Sequence, residues 1–125
     1  MTEIIYPELS YTVSGLLYKV HNEIGRFGRE KQYGDLFEKL LKESKIIFER
    51  EKALPIKLLD NKFTNIVDFA INNQLLVDLK AKPILAKDDF SQMKRYLDAS
   101  KYKLGPIVNF HQKYLKPVRI IRLTR

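Results

Sequence analysis

The sequence predicts an α/β or α+β domain in which a central mixed β-sheet is flanked by helices. Apolar residues recur at helical spacing near the N-terminus and again after Pro83. Between these regions the chain carries short apolar runs separated by turn residues, a pattern that is typical of strands. The predicted element order is α-α-β-β-β-β-α-β-β. Because helical segments precede and interrupt the strands, we expect helices to cover the sheet.

The first two elements are predicted to be helices. Apolar residues recur at helical spacing from Val13 to Ile24, and Gly25-Arg26-Phe27-Gly28 should end this helix. A second helix is expected from about Glu30, with Tyr33 on its apolar face. Both segments are amphipathic, so each helix should bury one face against the rest of the domain.

Four strands are predicted in the middle of the chain. The apolar runs that support them cover residues 46–48, 54–59, 63–71 and 75–81. Asp60-Asn61-Lys62 is read as the turn between the second run and the third. The third and fourth runs are joined around Asn72-Asn73, and so short a connection favours an antiparallel hairpin.

The last third of the chain is predicted to form one helix and two strands. The helix follows Pro83, with Asp88 or Asp89 as its cap. Its inward face comprises Phe90, Met93, Tyr96 and Leu97. Gly105-Pro106 should end the connection that follows the helix. The last two strands are expected at residues 107–110 and 118–123.

Length and composition bound the classes of function. The 125 residues are read as a single domain, 1–125, and 45% of them are hydrophobic, which suffices for one core. Cysteine is absent, which excludes disulfides, thiolate metal sites and cysteine nucleophiles. The N-terminus has no pattern of a secretion signal, and no apolar run approaches the roughly 20 residues that span a bilayer. We therefore expect a cytoplasmic protein that does not enter a membrane.

The chain is strongly basic. Lysine and arginine number 23 against 15 acidic residues, which gives a net charge of +8. This excess favours a polyanionic partner, most simply nucleic acid, although a generally basic protein would show it too. The basic residues are scattered, except that residues 113–125 contain five of them and no acid. The aromatic residues fit core positions better than a stacking platform for bases.

Asp78-Leu79-Lys80 is the segment that carries the most chemical information. Side chains two apart in a strand point to the same face, so Asp78 and Lys80 should project together from an apolar strand. Burying such charges is costly unless they have partners or a task. Asp68 lies in a second apolar run, and two carboxylates from adjacent strands form a normal site for a hard cation. Carboxylate and water ligands favour Mg²⁺ or Mn²⁺ over zinc.

Two questions stay open at this point. Asp78 and Lys80 could form a structural ion pair, while Asp68 satisfies a turn or a backbone amide. The register of the hairpin also decides whether the two acids meet. A two-residue turn at Asn72-Asn73 would place them on opposite faces, whereas a three-residue loop that includes Gln74 would place Asp68 opposite Asp78.

Several segments of the chain resemble a known family. The pattern of Asp68 followed by Asp78-x-Lys80 is similar to that of the PD-(D/E)XK nuclease superfamily. From about Glu8 to Leu123, the chain resembles the small bacterial GxxExxY proteins assigned to that superfamily. The segments that carry the resemblance are Leu9-Ser10-Tyr11, Val20-His21-Asn22-Glu23-Ile24-Gly25, Glu30-Lys31-Gln32-Tyr33, Val67-Asp68-Phe69, Val77-Asp78-Leu79-Lys80-Ala81, Gln92-Met93-Lys94-Arg95-Tyr96-Leu97 and Val108-Asn109-Phe110.

The resemblance implies a restriction-endonuclease-like core, a central mixed sheet with helices on both faces, and roles for the matching residues. Asp68 and Asp78 match the metal-binding acids, and Lys80 matches the catalytic lysine. Glu30 matches the acid of an early helix, which lies beside the metal site in related nucleases. The implied cofactor is Mg²⁺ or Mn²⁺, held by Asp68, Asp78 and Glu30.

Two further matches and two departures complete the comparison with the family pattern. Gln92 and Tyr96 match a glutamine-x-x-x-tyrosine pattern that flanks the site in some branches. The glycine expected three residues before Glu30 is replaced by Phe27, with Gly25 and Gly28 on either side. Asp78 stands where glutamate is commoner, which shortens the ligand by one methylene group.

These observations predict a metal-dependent nuclease that hydrolyses phosphodiester bonds, with DNA as the expected substrate and RNA not excluded. The alternative is a catalytically degenerate module that binds nucleic acid or protein, because some members of this superfamily have lost activity. A chelator separates the two, since a binding module keeps its affinity and a nuclease loses turnover. A homodimer is compatible with the sequence, which does not determine the oligomeric state.

Overall fold

The structure is a computed structural model that describes residues 5–55 and 65–122. Its elements are α1 (Pro7–Ile24), α2 (Glu30–Glu43), β1 (Phe48–Ala53), β2 (Ile66–Ile71), β3 (Leu75–Lys80), α3 (Lys87–Ser100), β4 (Leu104–Asn109) and β5 (Val118–Ile121). The strands form one sheet in the order β1-β2-β3-β4-β5. Only the β3–β4 pair is parallel among these described strands. The predicted class, a mixed sheet flanked by helices, is therefore confirmed.

The sheet separates two hydrophobic cores. On one face, α1 and α2 pack against the sheet, and the Tyr33 ring stacks on Phe110 with centroids 4.2 Å apart. On the other face, α3 contributes Met93, Tyr96 and Leu97, with Phe90 packed at the margin. The inward face predicted for α3 is thus confirmed. Among the described helices, none combines the length and the apolar character that a membrane crossing requires.

The break between the first two helices is confirmed, and glycine explains its shape. Gly25 follows α1 with φ 86°, a backbone conformation that other residues rarely adopt. A Cβ on Gly28 would lie 2.6 Å from Ile24 Cγ2 and 3.0 Å from the Tyr33 ring. The Tyr33 hydroxyl donates to the Gly25 carbonyl (2.6 Å) and accepts from the Gly28 N–H (2.8 Å). The turn is therefore closed by a side chain of α2.

The first predicted strand is wrong in its bounds. The apolar run at residues 46–48 supplies only Phe48, and β1 continues through a charged segment to Ala53. The reason is pairing: β1 lies at the edge of the sheet, and its ladder with β2 runs from Phe48–Ile71 to Ala53–Ile66. An edge strand needs apolar residues only on the face that covers the core. β1 therefore alternates partly buried and exposed residues and lacks the continuous apolar run that predicts a strand.

The second predicted strand is not observed in the part that the structure describes. Leu54 and Pro55 lie outside any strand, although Leu54 is buried in the core beside α3. Residues 56–59 and the predicted turn Asp60-Asn61-Lys62 lie outside the described residues. The described element order is accordingly α-α-β-β-β-α-β-β.

The predicted boundary at Gly105-Pro106 is also wrong, because both residues lie inside β4. Proline lacks an N–H for the ladder and usually ends a central strand. Here the parallel pairs with β3 lie on either side of it, at Leu75–Leu104 and Asp78–Ile107, and Pro106 pairs with Arg119 of β5. Gly105 has a separate purpose, since a Cβ there would collide with the Met93 side chain of α3.

Two glycine substitutions should therefore have opposite effects on stability. We expect Gly105→Ala to lower the free energy of unfolding by about 1–3 kcal/mol, because the buried Met93 side chain must repack or α3 must move away from the sheet. Gly15→Ala is the matched control, since Gly15 is exposed inside α1 and a Cβ there meets nothing within 4 Å. It should raise the free energy of unfolding by about 0.5–1 kcal/mol. Urea denaturation measures both, and equal effects would refute the close packing at Gly105.

Candidate active site

The hairpin between β2 and β3 has the register that brings the two acids together. Its ladder pairs Ile71 with Leu75 and Phe69 with Val77, so a three-residue loop joins the strands. The same register carries Asp68 opposite Asp78. Asn72 and Asn73 adopt positive φ values of 52° and 55°, a conformation that asparagine tolerates better than most residues. The two-residue turn is thereby excluded.

Asp68 and Asp78 each accept a hydrogen bond from the backbone of the strand that carries the other. The Leu79 N–H donates to Asp68 Oδ2 (2.7 Å), and the Asp68 N–H donates to Asp78 Oδ1 at a longer 3.3 Å. Asp78 is buried, with 3% of its surface exposed, and Asp68 is half-buried. Both carboxylates are thus held at the same place in the sheet.

The pKa of Asp68 reflects its burial and the negative charge of Asp78. Burial and the negative charge of Asp78 raise this pKa to about 7, against the single opposing backbone hydrogen bond from Leu79 and the charge of Lys80. Without a cation, the pair therefore holds a proton up to neutral pH. Carboxylate oxygens placed in this way fit a hard divalent ion such as Mg²⁺ or Mn²⁺, which would neutralise the repulsion.

Lys80 extends from the same strand towards α3. Its Nζ lies 3.1 Å from Gln92 Oε1, to which it donates, 3.5 Å from Asp78 Oδ2 and 3.8 Å from Asp89 Oδ1. An ion pair between Asp78 and Lys80 is therefore present. Burial and the charge of Asp78 raise the pKa of Tyr96 to about 12, and its hydroxyl interacts with Gln92. The structure thus gathers these residues around one point.

Glu30 and Asp68 line the same cleft. A cleft of ≈470 Å³ runs between α2 and the sheet and is lined by Glu30, Asp68 and Leu79 among others. Glu30 is exposed at the start of α2. Within residues 5–55 and 65–122, no three His, Cys, Asp or Glu side chains form a compact cluster that could hold a metal ion. Glu30 therefore faces the cleft as an outlying acid.

Arg50 of β1 forms a further wall of this cleft. Its NH1 donates to Asp35 (2.7 Å) and Glu38 (3.1 Å) of α2, and its guanidinium lies over the Phe69 ring. Gly34 makes this approach feasible, since a Cβ there would lie 2.5 Å from the guanidinium. Sequence reasoning missed Arg50, because only the pairing of β1 with β2 brings it to the site.

Two buried polar residues that support the site also received no role from the sequence. Asp89 was considered only as a helix cap; its carboxylate does accept from the Ala86 N–H (2.7 Å), and it also pairs with Lys82 (2.9 Å). Burial alone would raise the pKa of Asp89, but these two contacts and Lys80 lower it below its usual range. Asn109 neighbours Lys80 in the parallel ladder and bonds both backbone groups of Lys82. The chain that leaves β3 is therefore tied down next to Lys80.

Comparisons with known proteins agree with this fold. A family model described as the PD-(D/E)XK nuclease superfamily matches residues 7–122. Among solved structures, the chain is similar to the crystal structure of an alkaline exonuclease (LHK-Exo) from Laribacter hongkongensis, with a TM-score of 0.51 and 12% identity over 98% of this chain and 72% of that chain. At this identity the likeness concerns the fold alone, and it confirms the expected restriction-endonuclease-like core. No curated protein matches the sequence.

The repulsion at Asp68 should be measurable as a pH-dependent loss of stability. In metal-free buffer the folded pKa of about 7 exceeds the ordinary value of 3.8, so folded protein retains a proton that the unfolded chain has lost. Stability contributed by this group should fall as the pH rises from about 4 to 7 and stay low above that. We expect Asp68→Asn to raise the free energy of unfolding at pH 8 by on the order of 1 kcal/mol.

The control for this measurement is the same comparison at low pH. The advantage of Asp68→Asn should vanish near pH 3, where the carboxylic acid is largely protonated in both states. Asparagine keeps an acceptor for the Leu79 N–H, so that contact need not be lost. A stability penalty at pH 8 in EDTA would contradict the repulsion and assign Asp68 a structural role.

Proposed function

The chain belongs to the PD-(D/E)XK nuclease superfamily, and from this premise we propose that it is a metal-dependent nuclease that hydrolyses phosphodiester bonds in DNA. The observation that carries the proposal is the convergence of Asp68 and Asp78 beside Lys80. A structural ion pair accounts for Asp78 and Lys80, but it does not account for a second, half-buried carboxylate whose charge opposes the first. Hydrolysis of a phosphodiester accounts for the second carboxylate, because two carboxylates can hold the divalent ion that such a reaction uses.

The residues would divide the work as follows. Asp68 and Asp78 would hold Mg²⁺ or Mn²⁺, with Glu30 as an outlying third acid across the cleft. When bound, such an ion neutralises phosphate charge and lowers the pKa of a water molecule. Lys80, held in place by Gln92, would orient the attacking water or stabilise the negative charge that grows on the phosphate. Tyr96 stays neutral at physiological pH, and the interaction of its hydroxyl with Gln92 would help to hold the Gln92 side chain in place.

We extend the proposal to the narrower kinship with the GxxExxY proteins. Its support is the structural role of the glutamate and tyrosine positions, Glu30 and Tyr33, although Phe27 stands at the family's glycine position. The Tyr33 hydroxyl bonds to Gly25 and Gly28, which closes the turn and sets the start of α2, where Glu30 lies. Location in the cytoplasm and a homodimeric state stay predictions from the sequence.

The rival function is a catalytically degenerate module that binds nucleic acid or protein. The net charge of +8 supports nucleic-acid binding under either reading. The complete set of Asp68, Asp78 and Lys80 favours the nuclease, because a module without turnover has no need for two opposed carboxylates. Incubation with single- and double-stranded DNA and RNA, in Mg²⁺, Mn²⁺ or EDTA, decides between them.

The first test removes the lysine. We expect Lys80→Ala to lower the cleavage rate by at least about 100-fold, since one group that stabilises transition-state charge commonly contributes this much. Folding and affinity for DNA in EDTA should change little. Lys94→Ala is the control, because Lys94 is an exposed lysine of α3 outside the site. Wild-type turnover in folded Lys80→Ala would remove Lys80 from the mechanism.

The second test asks for the metal without using activity. A ligand that binds only the folded state raises the melting temperature, so Mg²⁺ or Mn²⁺ should raise the Tm of the wild type relative to EDTA. The shift should be lost in Asp68→Asn and in Asp78→Asn, and should persist in Lys80→Ala. An equal shift in all four proteins would place the ion elsewhere.

A further inference from the structure

An exposed aromatic ring lies among positive charges beside the candidate active site. Residues 25–29 join α1 to α2, and residues 111–116 lie between β4 and β5. In the first loop Phe27 leaves 79% of its surface exposed. The His111 ring meets it edge-on at 5.7 Å, and the Arg26 guanidinium lies over it at 5.1 Å. Arg26, Phe27 and His111 are referred to below as the Phe27 surface.

The Phe27 surface is held in a defined position. Arg26 Nε donates to the His111 carbonyl (3.1 Å), which ties the two loops together. His21 Nε2 lies 2.8 Å from the Gln112 carbonyl and fastens the second loop to α1. A ring that is already oriented loses less conformational entropy when it binds a ligand.

This surface borders the candidate active site from two directions. The His111 N–H lies 3.3 Å from Asn109 Oδ1, and Asn109 is the neighbour of Lys80 in the ladder between β3 and β4. In the other direction, Glu30 follows Phe27 by three residues and lines the cleft that holds Asp68. A strand that crosses the site would therefore pass the Phe27 surface.

The fold does not require the Phe27 ring. Gly25 supplies the left-handed backbone of the turn, and the Tyr33 hydroxyl closes it. The formal charges within the two loops are all positive, because neither loop contains an acid. The ionisable side chains of the two loops are Arg26, Arg29, His111, Lys113, Tyr114 and Lys116. Such a surface complements a polyanion that also offers flat apolar rings.

We propose that the Phe27 surface binds an unpaired base of a nucleic-acid strand next to the scissile phosphate. The base would stack on the face of Phe27 opposite Arg26, and the arginines and lysines of the two loops would contact the flanking phosphates. The inference rests on the proposed nuclease function and adds its substrate class, a single strand or an unpaired end. The expectation that the aromatic residues fit core positions better than a stacking platform holds for Tyr33, Phe37, Phe69 and Phe110, which are buried, but not for the exposed Phe27.

The experiment measures binding with catalysis switched off. The full chain is titrated in EDTA against a fluorescein-labelled 12-nucleotide single strand of DNA, and fluorescence anisotropy gives the Kd. Loss of one stacked base weakens affinity by about 10-fold, so Phe27→Ala should raise the Kd by that factor. Phe27→Leu should do the same, because leucine keeps the apolar bulk without the aromatic face. Phe27→Trp should restore binding.

Two controls make the result specific. Tyr11→Ala removes an equally exposed aromatic side chain from α1, where 83% of it is accessible, and should leave the Kd unchanged. A duplex whose two ends are closed by non-nucleotide linkers offers phosphates without unpaired bases or termini, and its Kd should not depend on Phe27. Circular dichroism and the Tm of each variant verify folding, which substitution of an exposed side chain should preserve.

Three results would overturn the proposal: an unchanged Kd in Phe27→Ala, an equal loss on the closed duplex, or a protein dimer that dissociates in Phe27→Ala without a change in DNA affinity. The cleavage assay in Mg²⁺ separates this inference from the proposed function. Binding that depends on Phe27 without any cleavage would refute the nuclease and keep the surface. Cleavage with binding independent of Phe27 would do the reverse.

Discussion

The candidate site depends on the three-residue loop that joins β2 to β3. Side chains alternate along a strand, so a slip of one residue would turn Asp68 to the face opposite Asp78. Asn72 and Asn73 both adopt the left-handed conformation, and Ile71 pairs with Leu75 as a result. The local preference of two asparagines thus determines where a charge lies several residues away. Without that register, the carboxylates, the lysine and the cleft would not form one site.

The cleft beside this hairpin differs in charge from the chain as a whole. The chain as a whole is basic, yet the cleft is lined by four acids and two bases, and its acids include Glu30, Glu51 and Asp68. A polyanion attracted by the surface would be repelled at the cleft unless cations neutralised the acids. The distribution therefore fits a site that needs a divalent ion before it accepts a phosphate. The loops near Phe27, in contrast, contain Arg26, Arg29, Lys113 and Lys116 and no acid.

The packing of α3 connects the stability of the fold to the geometry of the site. Gly105 lets Met93 approach the sheet. The same helix presents Gln92, which precedes Met93, to Lys80, and Tyr96, about one turn further on, to Asp78. At the start of the helix, Asp89 satisfies the backbone of Ala86 and holds Lys82. Because these contacts share one rigid helix, a change in its distance from the sheet would also displace the partners of Lys80.

The sequence by itself determined the three helices, the presence of the β2–β3 hairpin but not its register, and the choice of Asp68, Asp78 and Lys80 as candidate site residues. These features follow from local rules, namely periodicity, turn residues and charges placed in apolar strands. Only the tertiary structure decided that a charged segment forms β1, that Pro106 lies within β4, and that Phe27 stays exposed. Each of these depends on a partner distant in the chain: β2 for β1, β3 and β5 for Pro106, and His111 for Phe27. Pairing across a sheet contributes free energy that no single segment reveals, so local pattern cannot predict it.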